Sequence, residues 1–302
     1  MLSLLLVVSC GGDKDEPEKP GIPEIPEKPD NPDPDPKDEK VVLKLAARTS
    51  DGVVVMSVPA GAYMSSYNGN SSQALQAKSN HIDNVKMDYN GRGWQTGTQL
   101  YWKDAKTKAD VYVYAPYSSG INDCRNYQYS LPLNQTVDEE MAKADFLWGK
   151  SMALQPTSDE VSVTMQHKFA KVIVKVVVGE GFTIDELNAE KITVTLSDLK
   201  VDAIIDLGTG QLKLGNTTGS VTPQNNSDMT FTAIVIPQTV DMEKVVGVTV
   251  GEHVYKPQGN ITFEEQKTHT ISVTVSKDGT SGLNVGIDPW DTDGKDYGGV
   301  AE

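Results

Sequence analysis

Lys171-Val172-Ile173-Val174-Lys175-Val176-Val177-Val178 decides the fold class. Val172, Val174, Val176 and Val178 fall on every second position, with Lys171 and Lys175 between them. Successive side chains of an extended strand point to opposite faces, so this spacing marks a strand with one face in a core and one in water. The same period of two recurs through the chain. Val41, Leu43, Leu45 and Ala47 point one way while Lys44 and Arg48 point the other. Further runs are Val85-Met87-Tyr89, Val111-Val113-Ala115, Val161-Val163-Met165, Ile192-Val194-Leu196, Phe231-Ala233-Val235, Val246-Val248-Val250 and Ile271-Val273-Val275. Asn68-Gly69, Asn90-Gly91 and Asp278-Gly279 supply turns between runs. Only Val137–Lys143 and Ile184–Lys191 read as short helices. The first is acidic early and basic late, as the helix dipole favours. The chain is expected to be all-β, built of antiparallel sandwiches. The loop Met152–Asp159, which contains Pro156, separates two sets of strands of similar length. It places one sandwich at 41–157 and a second at 158–302.

Ahead of these strands the composition changes. Prolines 17, 20, 23, 26, 29 and 32 recur every third residue, then 34 and 36 follow. Three residues is the repeat of the polyproline II helix, so the prolines stack along one edge of an extended rod. At about 3.1 Å per residue, residues 11–40 reach roughly 90 Å when fully extended. With eleven acidic residues, five lysines and nothing to bury, this segment is expected to be a disordered stand-off linker. A PxxP ligand is the alternative. Before it stands Leu4-Leu5-Leu6-Val7-Val8-Ser9-Cys10. A brief apolar run, a small residue and a cysteine with polar sequence behind it make residues 1–10 a bacterial lipoprotein signal, with Cys10 as the lipidated residue. The run is short and has no Lys or Arg, as a truncated or misplaced start would leave it; a stray apolar N-terminus is the alternative. No other stretch approaches the roughly 20 apolar residues of a spanning helix.

The formal net charge is −15, from 42 acidic and 27 basic residues among 302. That balance opposes a phosphate-binding surface, so no nucleic-acid partner is expected. Of two cysteines, Cys10 is assigned to lipid, which leaves Cys124 without a partner and excludes a disulfide framework. His81, His167, His253 and His269 lack metal-ligand spacing, and His167 reads as a hydrogen-bonded structural histidine at the start of a strand. No serine stands in a nucleophile elbow and no glycine loop is built to cradle phosphate. Asp291-Thr292-Asp293-Gly294-Lys295-Asp296 is similar to a calcium loop, but lysine is fifth and aspartate replaces the sixth-position glycine, so a polar turn is expected. No catalytic residue, metal or cofactor is expected, and the chain reads as a non-enzyme. Trp94, Tyr101 and Trp102 lie close enough in sequence to form a sugar-binding platform if exposed together.

Several segments together resemble a known family. Tyr101-Trp102-Lys103-Asp104, Ala109-Asp110-Val111-Tyr112-Val113-Tyr114-Ala115-Pro116-Tyr117 and Ala144-Asp145-Phe146-Leu147-Trp148 resemble the first half of fimbrillin-type proteins of the Bacteroidetes. His167-Lys168-Phe169-Ala170-Lys171-Val172 and Ile234-Val235-Ile236-Pro237-Gln238 resemble their second half, and Val285-Gly286-Ile287-Asp288-Pro289-Trp290 their ending. The likeness covers nearly everything after residue 40 and rests on the order of the motifs. The acidic run after Cys10 is similar to a surface-export signal of lipoproteins in that phylum.

The resemblance implies two consecutive transthyretin-like sandwiches in a fimbrial subunit that acts in adhesion. In that family the subunit is exported as an outer-membrane lipoprotein. An arginine- or lysine-specific protease removes the lipid and first strand, and a neighbour's C-terminal strand fills the groove. Such strand addition restores backbone pairing along an opened sheet. Here the removed strand would be Val41–Ala47, with Arg48 as the candidate cleavage residue. Leu283, Val285 and Ile287 would be the donor strand and Trp290 its terminal anchor, contributing on the order of 6–10 kcal/mol before ordering costs. The implied partners are other fimbrial subunits, the outer membrane through the lipid, and host or bacterial surface ligands. Arg48 as a solvated edge residue and Leu283–Ile287 as the last strand of its own domain are the alternatives. A glycan-binding surface lipoprotein that does not polymerise is the alternative function.

Overall fold

A computed structural model describes residues 40–50, 58–65, 67–69 and 71–290 of the chain. The alternation is realised at Ala170–Val178, where Val172, Val174 and Val176 are buried and Lys175 is exposed. This strand is the middle of a five-stranded sheet. Its order is Gln224–Asn225, Thr230–Val235, Ala170–Val178, Lys267–Val275, Ser281–Pro289. A four-stranded sheet of Thr218–Val221, Ile192–Lys200, Val246–Val250 and His253–Tyr255 supplies the opposing apolar side chains. Val172, Val174, Phe231, Ile271 and Val273 share one buried cluster with Val194, Leu196 and Val248.

The earlier strands form an eight-stranded sheet. Its order is Trp94–Thr96, Ile82–Tyr89, Ala60–Met64, Ala109–Ala115, Leu147–Leu154, Glu160–His167, Val42–Thr49, Leu100–Tyr101. The two outermost members are neighbours in sequence. Trp94–Thr96 pairs with Ile82–Tyr89 at one edge and Leu100–Tyr101 pairs with Val42–Thr49 at the other. Residues 94–101 therefore bridge both edges and roll the sheet over a core of Leu43, Leu45, Met64, Met87, Trp102 and Val163.

Most pairings are antiparallel, as expected, but among the described strands two pairs are parallel. Val42–Thr49 runs beside Glu160–His167, and Ala170–Val178 beside Lys267–Val275. Parallel neighbours cannot be joined by a hairpin. The first strand is thus held on this side by a partner more than a hundred residues away, with Leu45 opposite Val161 and Ala47 opposite Val163.

Ala109–Ala115 is buried along its whole length. Val111, Val113 and Ala115 face the rolled sheet's core while Tyr112 and Tyr114 belong to the other cluster. Period two with apolar residues on both faces explains its unbroken burial. Tyr114, Tyr129, Phe146 and Phe169 meet on that second side, with Tyr129 5.4 Å from Phe146 and 5.2 Å from Phe169 between ring centroids. Tyr127–Ser130 pairs with Asp202–Asp206, so residues from both sides of position 157 share a sheet as well as a core.

The two expected helices are found at Asp138–Ala144 and Ile184–Ala189. The second starts from a capping box between Thr183 and Glu186, which satisfies two end amides reciprocally. Met242–Val245 forms one further turn that no sequence pattern signalled. A turn this short carries no readable period.

Candidate functional site

The first strand, Val42–Thr49, alternates as its sequence demands except at Ala46, which is buried as well. Leu43, Leu45 and Ala47 are 2%, 6% and 1% exposed, while Lys44 and Arg48 face solvent. Arg48 is not beyond the strand but within it, opposite Thr164, and the strand continues to Thr49. Residues 51–57, which follow the strand's end, lie outside the described residues, as do Cys10, the linker up to residue 39 and Asp291–Asp296. A protease needs its substrate in a free extended form. Cutting after Arg48 therefore requires the end of this strand to leave its ladder.

Two segments flank the strand. Glu160–His167 makes the parallel ladder on one side. On the other, Leu100 and Tyr101 pair with Leu43 and Val42, and the Trp102 amide donates to the Val41 carbonyl at 2.9 Å. The Trp94 indole Nε1–H donates to the Ala47 carbonyl at 2.9 Å. Nothing in the sequence signals this contact, because 47 positions separate the two residues.

The expected donor residues form the closing strand Ser281–Pro289, which pairs with Lys267–Val275 in nine-residue antiparallel register. It is the outermost member of its sheet. Leu283 and Ile287 remain 38% and 50% exposed, and only Val285 is partly buried against the core. The backbone ladder is complete while the side chains contribute little. Trp290 follows, and its amide donates to the Gln266 carbonyl at 2.9 Å. Its ring lies on the His167 imidazole, centroids 4.0 Å apart and 10° from parallel. His167 Nδ1 is hydrogen-bonded to Asp145 Oδ1 at 2.8 Å, which fixes the ring that Trp290 covers. The structure thus brings together Trp290 and His167, two residues the sequence placed in separate roles.

The aromatic trio does not make a platform. Trp102 is buried and donates Nε1–H to the Thr157 carbonyl at 2.8 Å, Trp94 is half-buried on the first strand, and only Tyr101 is exposed. Among the described residues, no three His, Cys, Asp or Glu side chains are grouped to hold a metal. His269 is buried, with Nε2 accepting the Glu264 amide at 2.9 Å, and burial lowers its pKa. Cys124 is also buried, which pushes its thiol up to about 12.

The same arrangement of strands occurs in solved structures. A candidate cell adhesion protein from Bacteroides uniformis superposes with a TM-score of 0.63 at 18% identity, over 83% of this chain and 99% of that one. A second such protein, from Bacteroides ovatus, gives 0.63 at 14% identity over 84% and 99%. The tip fimbrial protein Mfa3 from Porphyromonas gingivalis, truncated at its C-terminus, gives 0.52 at 11% identity over 83% and 100%. At such identities the likeness is one of fold. No curated protein matches the sequence. The sequence profile described as fimbrillin-like, however, matches residues 48–290, from the end of the first strand through the tryptophan that closes the last one, and the chain therefore belongs to the fimbrillin-like family.

Proposed function

We propose that this protein is a subunit of cell-surface fimbriae that is carried to the outer membrane as a lipoprotein through Cys10 and assembled by strand exchange. Cleavage after Arg48 releases the first strand, and the closing strand of a second subunit takes its place. One observation carries this reading. The strand to be lost is buried through Leu43, Leu45 and Ala47, whereas the strand to be donated presents Leu283, Val285 and Ile287 at the same two-residue spacing but leaves the first and last 38% and 50% exposed. Moving the second set into the site of the first buries the exposed fractions of Leu283 and Ile287 and the remainder of Val285, about 2–4 kcal/mol before ordering costs. Leaving its own sheet uncovers Val285 and the Trp290 ring, which are only partly buried there. Family membership and the fold supply the fimbrial context. The described residues support assembly through 42–49 and 281–289 as two separate places on one chain. Under this reading 41–157 and 158–302 are the two sandwich bodies, joined through the Tyr129 aromatic cluster.

Arginine is scarce, and an Arg92→Lys background, which removes the other exposed arginine, makes the test clean. The chain has Arg48, Arg92 and Arg125 alone, and Arg125 Nε and Nη2 donate to the two carboxylate oxygens of Asp206 at 2.6 and 2.8 Å. An arginine-specific protease is expected to yield a product starting at Thr49, followed by ladders of oligomers on gels. Arg48→Ala should stay monomeric under the same treatment. Ladders from Arg48→Ala, or a cut chain that never associates, would refute the exchange.

A further inference from the structure

The segment Trp94–Trp102 crosses the first strand like a strap. One end is sewn to Ile82–Tyr89 through Tyr89–Trp94, Asp88–Gln95 and Met87–Thr96. The other end is fixed by Trp102, whose buried indole is bonded to Thr157, and His81 Nε2 is hydrogen-bonded to the Tyr101 carbonyl at 2.9 Å. Thr96 Oγ1 donates to the Thr98 carbonyl and braces the middle. Between these anchors the segment meets the strand at two contacts that bear on its release. Leu100 and Tyr101 hold Leu43 and Val42, and the Trp94 indole holds the Ala47 carbonyl. A hollow over Lys44 and Leu45 separates the two contacts.

The second contact lies one residue before Arg48. We infer that Trp94 latches the strap over the end of the first strand, so that the Arg48–Thr49 bond becomes cleavable only when Trp94 lets go of Ala47. This inference rests on the strand exchange proposed above and adds the device that controls it. The edge that Trp94 closes is the only side of the first strand not held by a long ladder, since Glu160–His167 pairs with six consecutive residues opposite. Fraying must therefore start on the strap side. The indole N–H is aimed at a backbone carbonyl rather than a side chain, so it reads no sequence. A strand that occupies the same track in the same register presents a carbonyl at that height, and Trp94 serves an incoming donor strand as it served the first. Trp94 is a positioning residue here; it touches neither the scissile bond nor the protease.

The test uses the full chain in a Cys10→Ser, Arg92→Lys background, which leaves Arg48 as the one arginine not tied into an ion pair. Trp94→Phe keeps a ring over the core and removes the donor. Cleavage follows the population of the opened form, and one net hydrogen bond sets the expected acceleration at Arg48 to about fivefold. Hydrogen exchange should quicken by a similar factor in 42–49 and not in 170–178. A second variant does not depend on how well the phenylalanine packs. Val42 and Tyr101 are directly opposed in an antiparallel pair, within reach of a disulfide, so Val42→Cys with Tyr101→Cys locks the strap shut. Oxidised, it should be cut at Arg48 at least tenfold more slowly than when reduced. Equal rates for Trp94→Phe and parent with unchanged exchange, or equal rates for the oxidised and reduced lock, would overturn the latch. Neither readout involves oligomers, so a failure to polymerise counts against the exchange and leaves the latch standing.

Discussion

Replacing Trp290 by alanine tests whether the closing strand is a separable element. The indole is partly buried and lies flat on His167 at 4.0 Å, and it ends a strand whose other side chains are mostly in water. Half of the roughly 200 Å² that such a ring can bury, at about 25 cal/mol per Å², comes to about 2.5 kcal/mol. Stacking adds about 0.5–1.5 kcal/mol, while residual contacts in the detached state take some of this back. A net loss of about 2–3 kcal/mol raises the detached population about 30- to 150-fold. Hydrogen exchange by mass spectrometry reads this directly, because strands open in local units at free energies below global unfolding. Peptides from 281–290 should exchange faster by that factor, and peptides from 170–178 should not change. A rise of less than threefold in 281–290 would refute the anchoring role. An equal rise in both would show that the closing strand opens only with the whole fold.

Two further outcomes follow from the packing. Phe146 is fully buried among Tyr114, Tyr129 and Phe169, so Phe146→Ala should cost about 3–5 kcal/mol in urea denaturation, and a loss under 1 kcal/mol would mean that the cluster re-packs. His269 is held neutral by burial, so as pH falls below the unfolded histidine value of about 6.5 the unfolded chain gains the proton first and stability declines. Between pH 7 and 5 the parent should lose more stability than His269→Gln in paired urea titrations; equal losses would place the pH dependence elsewhere.

The local pattern carried far. Val172, Val174 and Val176 were readable as core because a strand's side chains alternate whatever it pairs with, and the structure buries all three. Asp138–Ala144 was readable because acidic and basic residues sit at its two ends. Met242–Val245 was not, being too short to show a period. Arg48 was expected at the close of the first strand and lies inside it, because strand ends are set by the partner ladder rather than by the strand's own residues. The parallel pairing of Val42–Thr49 could not be read for the same reason. Both its neighbours come from distant sequence, and no hairpin records the choice.

Leu43-Leu45-Ala47 and Leu283-Val285-Ile287 look alike as sequence, and from alternation alone each is a half-buried strand. That they are strands at all, and that the chain is all-β, follows from local spacing. Only the tertiary structure separates a first strand sunk into its sheet from a closing strand laid on an edge. Burial depends on what the opposite face meets. The same is true of Trp94 on Ala47 and of Trp290 on His167. Those contacts exist because sheets bring remote segments within hydrogen-bonding and stacking distance, and no short-range pattern records where they will meet.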